Sequence, residues 1–578
     1  MTHEPSTYLG RAGRAMLLLL TTATLLTLSA APFGQWYLAW IGLAPWLVAI
    51  EKSPSARGAT MRGFSGGMLF FAMNLWWLWT ASIPGMVVVV VCASLYWGAA
   101  AGVIYALGLL GPAEDPEQST QQSDSKLGAR LGSIGRLLGI AVVWVAFEWL
   151  RCNIVEGFPW LPLGVTQTPI IVMCQVADLG GPSIVSYWVM LTNALVAIAW
   201  LHRDRPRSSA PAAILVGIVL TLTAIYGGIR LFSTTTRPGP RVMVIQSDFH
   251  HLPGGAPTAM PEEVMEFLLT ELEARLTEEP ADLAVLPEAA FPPINAEARN
   301  ELARAPVGPF LESTHQRLAA IGKQHETSLL LGGNAVTGWT NDGSARIGSE
   351  IHNSAYYFPS PPTVAEKRYD KIFLVPFSER APFANGPAWL RSVGLAIAAN
   401  RAAQPLAPGE LHSFEPFELT WRQAGANGKR DSLRFIAPIC LEAIDPRVVS
   451  RMMRSASGER KSVELIANLS NDGWFATQEK HQHLQSLVFR SIEHRVPLVR
   501  SSNTGISGWI DSTGRIRETV PANTSGAATA RVELDDRMTI YSLHGDVFAG
   551  VCMGLVTLGA AAQFRLSLRE DRDGRSKA

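Results

Sequence analysis

Three residue types that together support nucleophilic catalysis occur in the second half of the chain. Glu288 and Cys440 each follow a short apolar run, and Lys371 lies in the segment YDKIFLVPFSE, which starts at Tyr369. A thiol with a pKa of about 8.5 is mostly protonated at neutral pH, so a cysteine nucleophile needs a base and a positively charged neighbour. Glu288 can be the base, while Lys371 can favour the thiolate and stabilise a developing oxyanion together with backbone N–H groups.

Taken singly, each of these residues has an ordinary explanation, because loop glutamates and lysines are usually solvated and such a cysteine is usually a buried small side chain. Their positions after predicted strands favour catalysis. From residue 241 on, short strands alternate with amphipathic helices, which predicts α/β layers. The predicted strands are 242–245, 283–286, 328–331, 354–358, 433–436, 465–468, 498–500 and 508–510, and the predicted helices are 262–277, 309–324 and 478–494.

Outside this middle segment the sequence consists largely of apolar runs. A membrane span needs about 20 mostly apolar residues. Runs of about that length predict eight transmembrane helices, seven before residue 233 and one after residue 545. They lie at 14–32, 36–50, 64–82, 86–111, 133–151, 184–202, 212–232 and 546–563.

Lysine and arginine collect before the first run and after the second, fourth, sixth and eighth runs. Basic residues of short loops favour the cytoplasmic side, so both termini are expected in the cytoplasm. We therefore predict a membrane domain with seven helices over 1–232 and an extracytoplasmic catalytic domain over 233–545. Residues 546–578 form the eighth helix and a basic cytoplasmic tail.

Charge and cysteine content exclude several function classes. The 49 lysines and arginines balance the 49 aspartates and glutamates, so nothing predicts nucleic-acid binding. The five cysteines are few and odd in number and include no CxxC pair, which argues against a disulfide framework or a zinc site. No metal or cofactor is expected.

Polar residues within the predicted spans have two possible explanations. Glu148 and Arg151 are three residues apart, so one helix face would hold both within reach of an ion pair. They could form an interfacial anchor, or they could contact a lipid substrate or the outer domain. Asn193 could join helices or bind a ligand.

Longer motifs surround the three candidate catalytic residues, and they resemble those of the nitrilase superfamily. They are VLPEAAF from Val285, YDKIFLVPFSE from Tyr369, PICLEAIDP from Pro438, NLSNDGWF from Asn468 and RSIEHRVPLVRSSNTGISGWIDSTG from Arg490. In the membrane half, FEWLRCNIVEGFPWLPLG from Phe147 and VADLGGPSIVSYWVMLTNALVA from Val176 extend the resemblance to the apolipoprotein N-acyltransferase family. The resemblance covers most of the chain and implies a nitrilase-like αββα sandwich joined to a multi-pass helical membrane bundle.

The resemblance also assigns residue roles. It implies Glu288, Lys371 and Cys440 as the catalytic triad, and Glu379 and Glu442 as further carboxylates lining the site. Ordinary salt bridges are the alternative for those two glutamates. The sequence departs from the family pattern at two nearby positions, where Phe373 replaces a histidine and Ser378 replaces a glycine.

The implied reaction is a two-step acyl transfer that ends bacterial lipoprotein maturation at the inner membrane. Cys440 would take an acyl chain from a membrane phospholipid as a thioester, and the N-terminal amine of a diacylglyceryl-cysteine apolipoprotein would then receive it. The catalytic domain would face the periplasm. The alternatives are a membrane-anchored amidase or nitrilase-type hydrolase, in which water resolves the thioester, and a noncatalytic membrane scaffold. A transporter would leave the triad unexplained.

Between the lysine motif and the cysteine strand, residues 381–414 include an apolar stretch with Trp389, Leu390 and Leu395. This stretch predicts a mobile lid that dips into the outer leaflet and guides acyl chains towards Cys440. The alternative is a covering helix that packs on the domain.

Overall fold

A computed structural model of the protein divides into two compact units. The helical unit comprises Met1–Trp76, Met86–Phe232 and Asp546–Ala578, and the sheet unit comprises Trp77–Gly85 and Ser233–Gly545. The structure describes residues 5–111, 123–154, 157–204, 206–233, 235–251, 257–341, 346–360, 367–376, 378–383, 386–398, 406–410, 414–422, 430–455, 461–475 and 477–576.

The helical unit consists of apolar helices, as expected where a bilayer offers backbone groups no hydrogen-bonding partner. Its longer helices are Pro5–Ser29, Ala44–Glu51, Ala56–Leu75, Ile83–Ala106, Ser123–Asn153, Pro182–Leu201, Pro206–Phe232 and Val547–Ser576. Among the described residues, five stretches are long and apolar enough to cross a membrane: Ala12–Ser29, Ile83–Ala106, Pro182–Leu201, Ser209–Phe232 and Val547–Arg565. The other three predicted spans fall on the helices Ala56–Leu75 and Ser123–Asn153 and on the shorter apolar stretch Trp36–Glu51.

The stretch Trp36–Glu51 is broken into short helices, and Asn193 satisfies the backbone groups at the break. The side-chain oxygen of Asn193 accepts hydrogen bonds from the backbone N–H groups of Leu43 and Ala44 at 2.7 and 3.0 Å. Its amide donates to the carbonyl oxygen of Ala39 at 2.8 Å. Asn193 therefore joins two helical segments, which was the first of its two predicted roles.

Glu148 and Arg151 bind backbone groups of the segment that follows their own helix. The guanidinium of Arg151 donates to the carbonyl oxygens of Phe158 and Trp160 at 2.8 and 2.7 Å. The carboxylate of Glu148 accepts from the N–H of Leu163 at 2.7 Å. Both side chains thus satisfy the irregular backbone of residues 158–163, rather than simply pairing with each other.

The sheet unit contains two six-stranded sheets among its described residues. The strands are β1 Thr236–Gln246, β2 Leu283–Val285, β3 Ser328–Asn341, β4 Arg346–Phe358, β5 Lys367–Asp370, β6 Phe417–Arg422, β7 Arg430–Ile436, β8 Leu465–Ser470, β9 Leu498–Ser502, β10 Ser507–Ile510, β11 Ile516–Val520 and β12 Gly526–Asp535. The first sheet has the order β12-β1-β2-β3-β4-β5, and the second has the order β11-β10-β9-β8-β7-β6.

Parallel pairs lie at the centre of both sheets: β1 with β2 and β2 with β3 in the first, and β7 with β8 and β8 with β9 in the second. Strands β2, β8 and β9 are buried along their whole length, as central parallel strands must be when both faces are covered. The longer helices of the unit are Pro261–Glu278, Gly308–Gln324, Ala388–Ala398, Pro446–Ser455 and Thr477–His494, and shorter ones are Ala296–Glu301 and Ile540–His544.

A hydrophobic core lies beneath the first sheet. The helix Pro261–Glu278 contributes Leu268, Leu269 and Leu272, all fully buried, against residues such as Ala284 and Leu331 of the strands. Burial of such side chains contributes about 1.5–3 kcal/mol each. The predicted combination of a region with several apolar helices and an α/β domain is confirmed.

Candidate active site

Cys440 lies at a backbone turn just beyond β7. The chain leaves that strand through Pro438 and Ile439 and enters a short 3₁₀ helix, Cys440–Ile444. Cys440 has a φ of +53°, which is uncommon for a residue with a side chain and which often marks functional sites. Its side chain is buried. The turn therefore fixes the thiol in an enclosed position at the strand end.

Glu288 follows β2 and is held by three donors. Its Oε1 accepts from the ammonium of Lys371 at 3.2 Å and from the amide of Asn353 at 2.7 Å, and its Oε2 accepts from the N–H of Asn471 at 2.8 Å. The backbone here packs closely against Gly332, where an added Cβ would lie 2.4 Å from Cα of Glu288. Only glycine fits at position 332 without moving the glutamate.

Lys371 directly follows β5 and is 1% exposed. Its backbone N–H donates to the carbonyl oxygen of Asn353 at 2.8 Å, which fixes the start of the loop against β4. The ammonium lies 3.2 Å from Glu288 Oε1 and 2.8 Å from Glu379 Oε1. A buried ammonium with two carboxylate partners keeps its charge, because desolvation is offset by these ion pairs.

The electrostatics of the three residues define their resting charges. Burial, together with the negative charge of Glu288, raises the pKa of the Cys440 thiol well above its ordinary value, although Lys371 opposes this shift. Burial alone would lower the pKa of Lys371, but Glu288, Glu379 and Cys440 together raise it well above its ordinary value. These directions favour a neutral thiol and a charged lysine, so Cys440 would have to lose its proton in order to act as a nucleophile.

Glu379 and Glu442 have different surroundings, although the resemblance implied one role for both. Glu379 shares Lys371 and Asn353 with Glu288, and its Oε2 accepts from the N–H of Val375 at 2.8 Å. It therefore belongs to the charged cluster around the lysine.

Glu442 is turned into the protein. Its carboxylate accepts from the N–H groups of Ile372, Phe373 and Ile439 at 2.8 to 2.9 Å, and from the hydroxyl of Tyr369. Burial raises its pKa to about 7, against these hydrogen bonds. Glu442 thus ties the lysine loop to the cysteine turn.

Asn353 and Asn471 were not predicted. Asn353 lies on β4, and its amide donates to both Glu288 and Glu379, the second at 3.0 Å. Asn471 holds Glu288 through a backbone N–H, which every residue except proline has. The identity of residue 471 therefore does not predict this contact. The amide of Asn503 donates to Asn471 Oδ1 at 3.0 Å. The one available signal was that Asn471 and Asn503 occur in the quoted motifs.

A buried charged network holds the turn that carries Asn471. Arg500 forms an ion pair with Asp472 and also donates to Oδ1 of Asn468 at 2.8 Å. The pKa of Asp472 is lowered, since Arg500 and His483 outweigh the effect of burial. Asp472, Glu479 and His483 have donor atoms within 4.8 Å of one another, as metal ligands would. Because the guanidinium of Arg500 contacts two of these residues, it already supplies the positive charge of the cluster.

A cavity of about 180 Å³ adjoins Glu288 and Asn471. Phe249, His250 and His251 form part of its wall. The cavity gives a small polar molecule space to reach the carboxylate of Glu288.

The predicted lid segment contains a helix, Ala388–Ala398. Trp389 is 68% exposed and Leu395 is 61% exposed, while Leu390 is half-buried. Residues 384–385, 399–405 and 411–413 of the segment lie outside the described residues. A helix packed against the domain as a cover would hide its large apolar side chains, so these exposures favour the lid over the covering helix.

Comparisons with known proteins find a matching family for each half of the chain. Residues 22–195 match the family described as apolipoprotein N-acyltransferase N-terminal domain, and residues 259–540 match the family described as carbon-nitrogen hydrolase. A protein of Geobacter metallireducens named apolipoprotein N-acyltransferase is 29% identical over 96% of this chain and 96% of its own length. One of Chlorobaculum tepidum with the same name is 26% identical over 90% of each chain.

Solved structures include a similar protein, an amidase of the nitrilase superfamily from Nesterenkonia AN1. It is 13% identical, with a TM-score of 0.35, over 55% of this chain and 99% of its own length. The two family matches together span most of the sequence, and the curated relatives align over nearly their full length. The chain is therefore similar to apolipoprotein N-acyltransferases along nearly its whole length.

Proposed function

We propose that the protein transfers an acyl chain from a membrane phospholipid to the N-terminal amine of a diacylglyceryl-cysteine apolipoprotein. The observation that carries this proposal is the buried Glu288–Lys371 ion pair, which interacts electrostatically with the thiol of Cys440. The names of the relatives support the acyltransferase class and the lipoprotein acceptor. The apolar helices support a lipid donor and a membrane location.

In the first step, the sulfur of Cys440 attacks the carbonyl carbon of the phospholipid ester. Glu288 accepts the thiol proton and then gives it to the departing alcohol oxygen, so that a lysophospholipid leaves and a thioester forms. Lys371 stabilises the negative charge on the carbonyl oxygen during attack. Glu379 and Asn353 keep the lysine and the glutamate in place.

In the second step, the acceptor amine attacks the thioester carbon. Glu288 accepts a proton from the amine and returns it to the sulfur, so an amide forms and the free thiol is restored. The cavity beside Glu288 is where we place the approaching amine, because a base must lie within hydrogen-bonding reach of the proton that it accepts. A thioester suits this step because it is readily attacked by an amine.

The location follows from the same proposal. Donor and acceptor are both lipid-anchored, so the catalytic domain must work at a membrane surface. We propose that it faces the periplasm from the bacterial inner membrane, with both termini in the cytoplasm. Single cysteines are placed at the exposed residues Asp204 and Glu415 and treated with an impermeant maleimide. The cysteine at 415 should react in intact cells, and the cysteine at 204 should react only in inverted vesicles.

We further propose that the helix Ala388–Ala398 inserts Trp389, Leu390 and Leu395 among lipid chains and leads a donor chain to the thiol. An amphipathic helix with exposed large apolar residues is suited to a membrane surface. Deletion of residues 389–398 should abolish turnover of membrane substrates, whereas unaltered turnover would remove the lid from the proposal.

The decisive test is the intact mass of the purified protein after incubation with phospholipid vesicles. We expect a hydroxylamine-sensitive mass gain of one acyl chain in the wild type and none in Cys440→Ala. Addition of a diacylglyceryl lipopeptide should remove the acyl group and yield an N-acylated peptide. Release of free fatty acid with no peptide product would support the hydrolase instead, and a folded protein that gains no acyl group would support the scaffold.

A further inference from the structure

The segment Trp77–Gly85 connects two helices of the helical unit but belongs to the sheet unit. It contains one buried and one exposed tryptophan within a single 3₁₀ turn, Trp76–Thr80. Trp77 is 2% exposed, whereas Trp79 is 45% exposed. An indole buried so fully must have a specific packing partner, because most tryptophans retain some exposure.

The partners of Trp77 lie next to the turn that carries Asn471. Its indole N–H donates to Oε1 of Gln482 at 3.3 Å. Its ring meets the ring of Phe475 edge to face, with 5.0 Å between the centroids. Aromatic pairs in this arrangement attract each other beyond simple burial, so they fix the relative position of two segments.

Phe475 ends the turn whose first residue, Asn471, holds Glu288. Its backbone N–H donates to the carbonyl oxygen of Asp472 at 3.2 Å, which closes the turn Asp472–Trp474. The preceding residue of that turn, Asn471, gives Glu288 its 2.8 Å backbone hydrogen bond. Three contacts in series therefore join Trp77 to the carboxylate that accepts the thiol proton.

We propose that Trp77 is a positioning residue for Glu288, acting through Phe475 and the turn at residues 471–475. The Arg500 network holds this turn through residues of β8, β9 and the neighbouring helix. Trp77 holds the same turn from the segment Trp77–Gly85, which is distant in sequence. A shift of the turn by a few tenths of an ångström would lengthen the bond from Asn471 and misdirect the base. This inference rests on the proposed role of Glu288.

The test measures thioester formation by the full-length protein in phospholipid vesicles, as a function of pH. Trp77→Ala should slow acylation of Cys440 by about 10- to 100-fold and alter the pH profile in the same sense as Glu288→Gln. Trp77→Phe keeps a ring against Phe475 and should recover most of the rate. Trp79→Ala is the matched control, because this neighbouring indole is exposed, and its rate should remain within about twofold of wild type.

A second readout separates this inference from the proposed function. Alkylation of Cys440 by iodoacetamide, followed in the peptide that contains it, needs no acyl substrate. Trp77→Ala should change its pH dependence towards that of Glu288→Gln, and Trp77→Ala combined with Phe475→Leu should add no further change. Wild type that is alkylated but never acylated would contradict the proposed function alone. A Trp77→Ala protein with lower thermal stability but wild-type pH profiles would overturn the positioning role.

Discussion

The side-chain amide of Asn353 donates a 2.7 Å hydrogen bond to Oε1 of Glu288. Because the same amide also reaches Glu379, it keeps two carboxylates beside one ammonium without adding charge. Asn353→Asp would place a third negative group there and replace a donor by an acceptor. We expect acylation of Cys440 to slow by about 100-fold, as when one preorganised donor is lost from a catalytic site.

The control for Asn353 is Asn300, which is exposed on the helix Ala296–Glu301. Asn300→Asp adds the same charge on a helix surface and should leave the acylation rate within about twofold of wild type. Equal rates for the two variants, measured by intact mass, would show that Glu288 does not depend on Asn353.

The ion pair between Arg500 and Asp472 should dominate the stability of its turn. Both side chains are 1% exposed, so Arg500→Met would leave the buried carboxylate of Asp472 with only His483 as a charged partner. It should lower the free energy of unfolding by about 3–5 kcal/mol. The pair Arg517–Asp511 is the surface control, with the arginine 46% exposed. Arg517→Met should cost at most about 1 kcal/mol. Thermal unfolding of both variants in the same detergent provides the comparison, and similar losses would contradict the assignment.

Glu442 should make stability depend on pH. Its pKa in the folded protein is raised from 4.5 to about 7, so between these values the folded state binds more protons than the unfolded state. Stability from this group is therefore present below pH 4.5 and is lost as pH rises through 7, by up to about 3 kcal/mol.

Glu442→Gln removes this titration. Between pH 5 and pH 8, the Tm of wild type should fall relative to the Tm of Glu442→Gln, whatever the difference between them at pH 5. A difference that stays constant, or that shifts in favour of the wild type, would mean that Glu442 is already ionised in the folded protein.

The exposed apolar residues of the helix Ala388–Ala398 should matter for membrane substrates only. We expect Leu395→Asp to reduce acylation from phospholipid vesicles by at least about 10-fold, because a buried carboxylate is costly among lipid chains. Acylation from a water-soluble short-chain ester should be unchanged. Ile516→Asp, an exposed change on β11, should affect neither substrate. Equal loss with both esters would assign the helix a structural role instead.

Much of the fold was predictable because buried strands leave a strong pattern. β2, β8 and β9 each begin with a run of apolar residues, and the sequence predicted each of them. The strands β5, β6, β11 and β12 were missed, and all four lie at sheet edges. β11 exposes its first four residues and so lacks the alternation that reveals a half-buried strand.

The candidate site likewise contains residues that the sequence predicted and residues that it did not. Glu288, Lys371 and Cys440 were predicted because each lies in a long motif, and the structure brings Glu288 and Lys371 into an ion pair. Asn353 carries no local signal, because its role depends on β4 lying beside two carboxylates that are distant in sequence. The inward direction of Glu442 was equally hidden, since spacing alone does not show which way a side chain turns.

The two sheets contribute different parts of the site. Glu288 and Lys371 follow strands of the first sheet, whereas Cys440 follows a strand of the second. In a chain in which only one sheet has formed, the thiol lacks both the carboxylate and the ammonium that the proposed mechanism requires. On that mechanism, completion of folding is itself the event that assembles a reactive site, and a partly folded chain would not yet accept an acyl group.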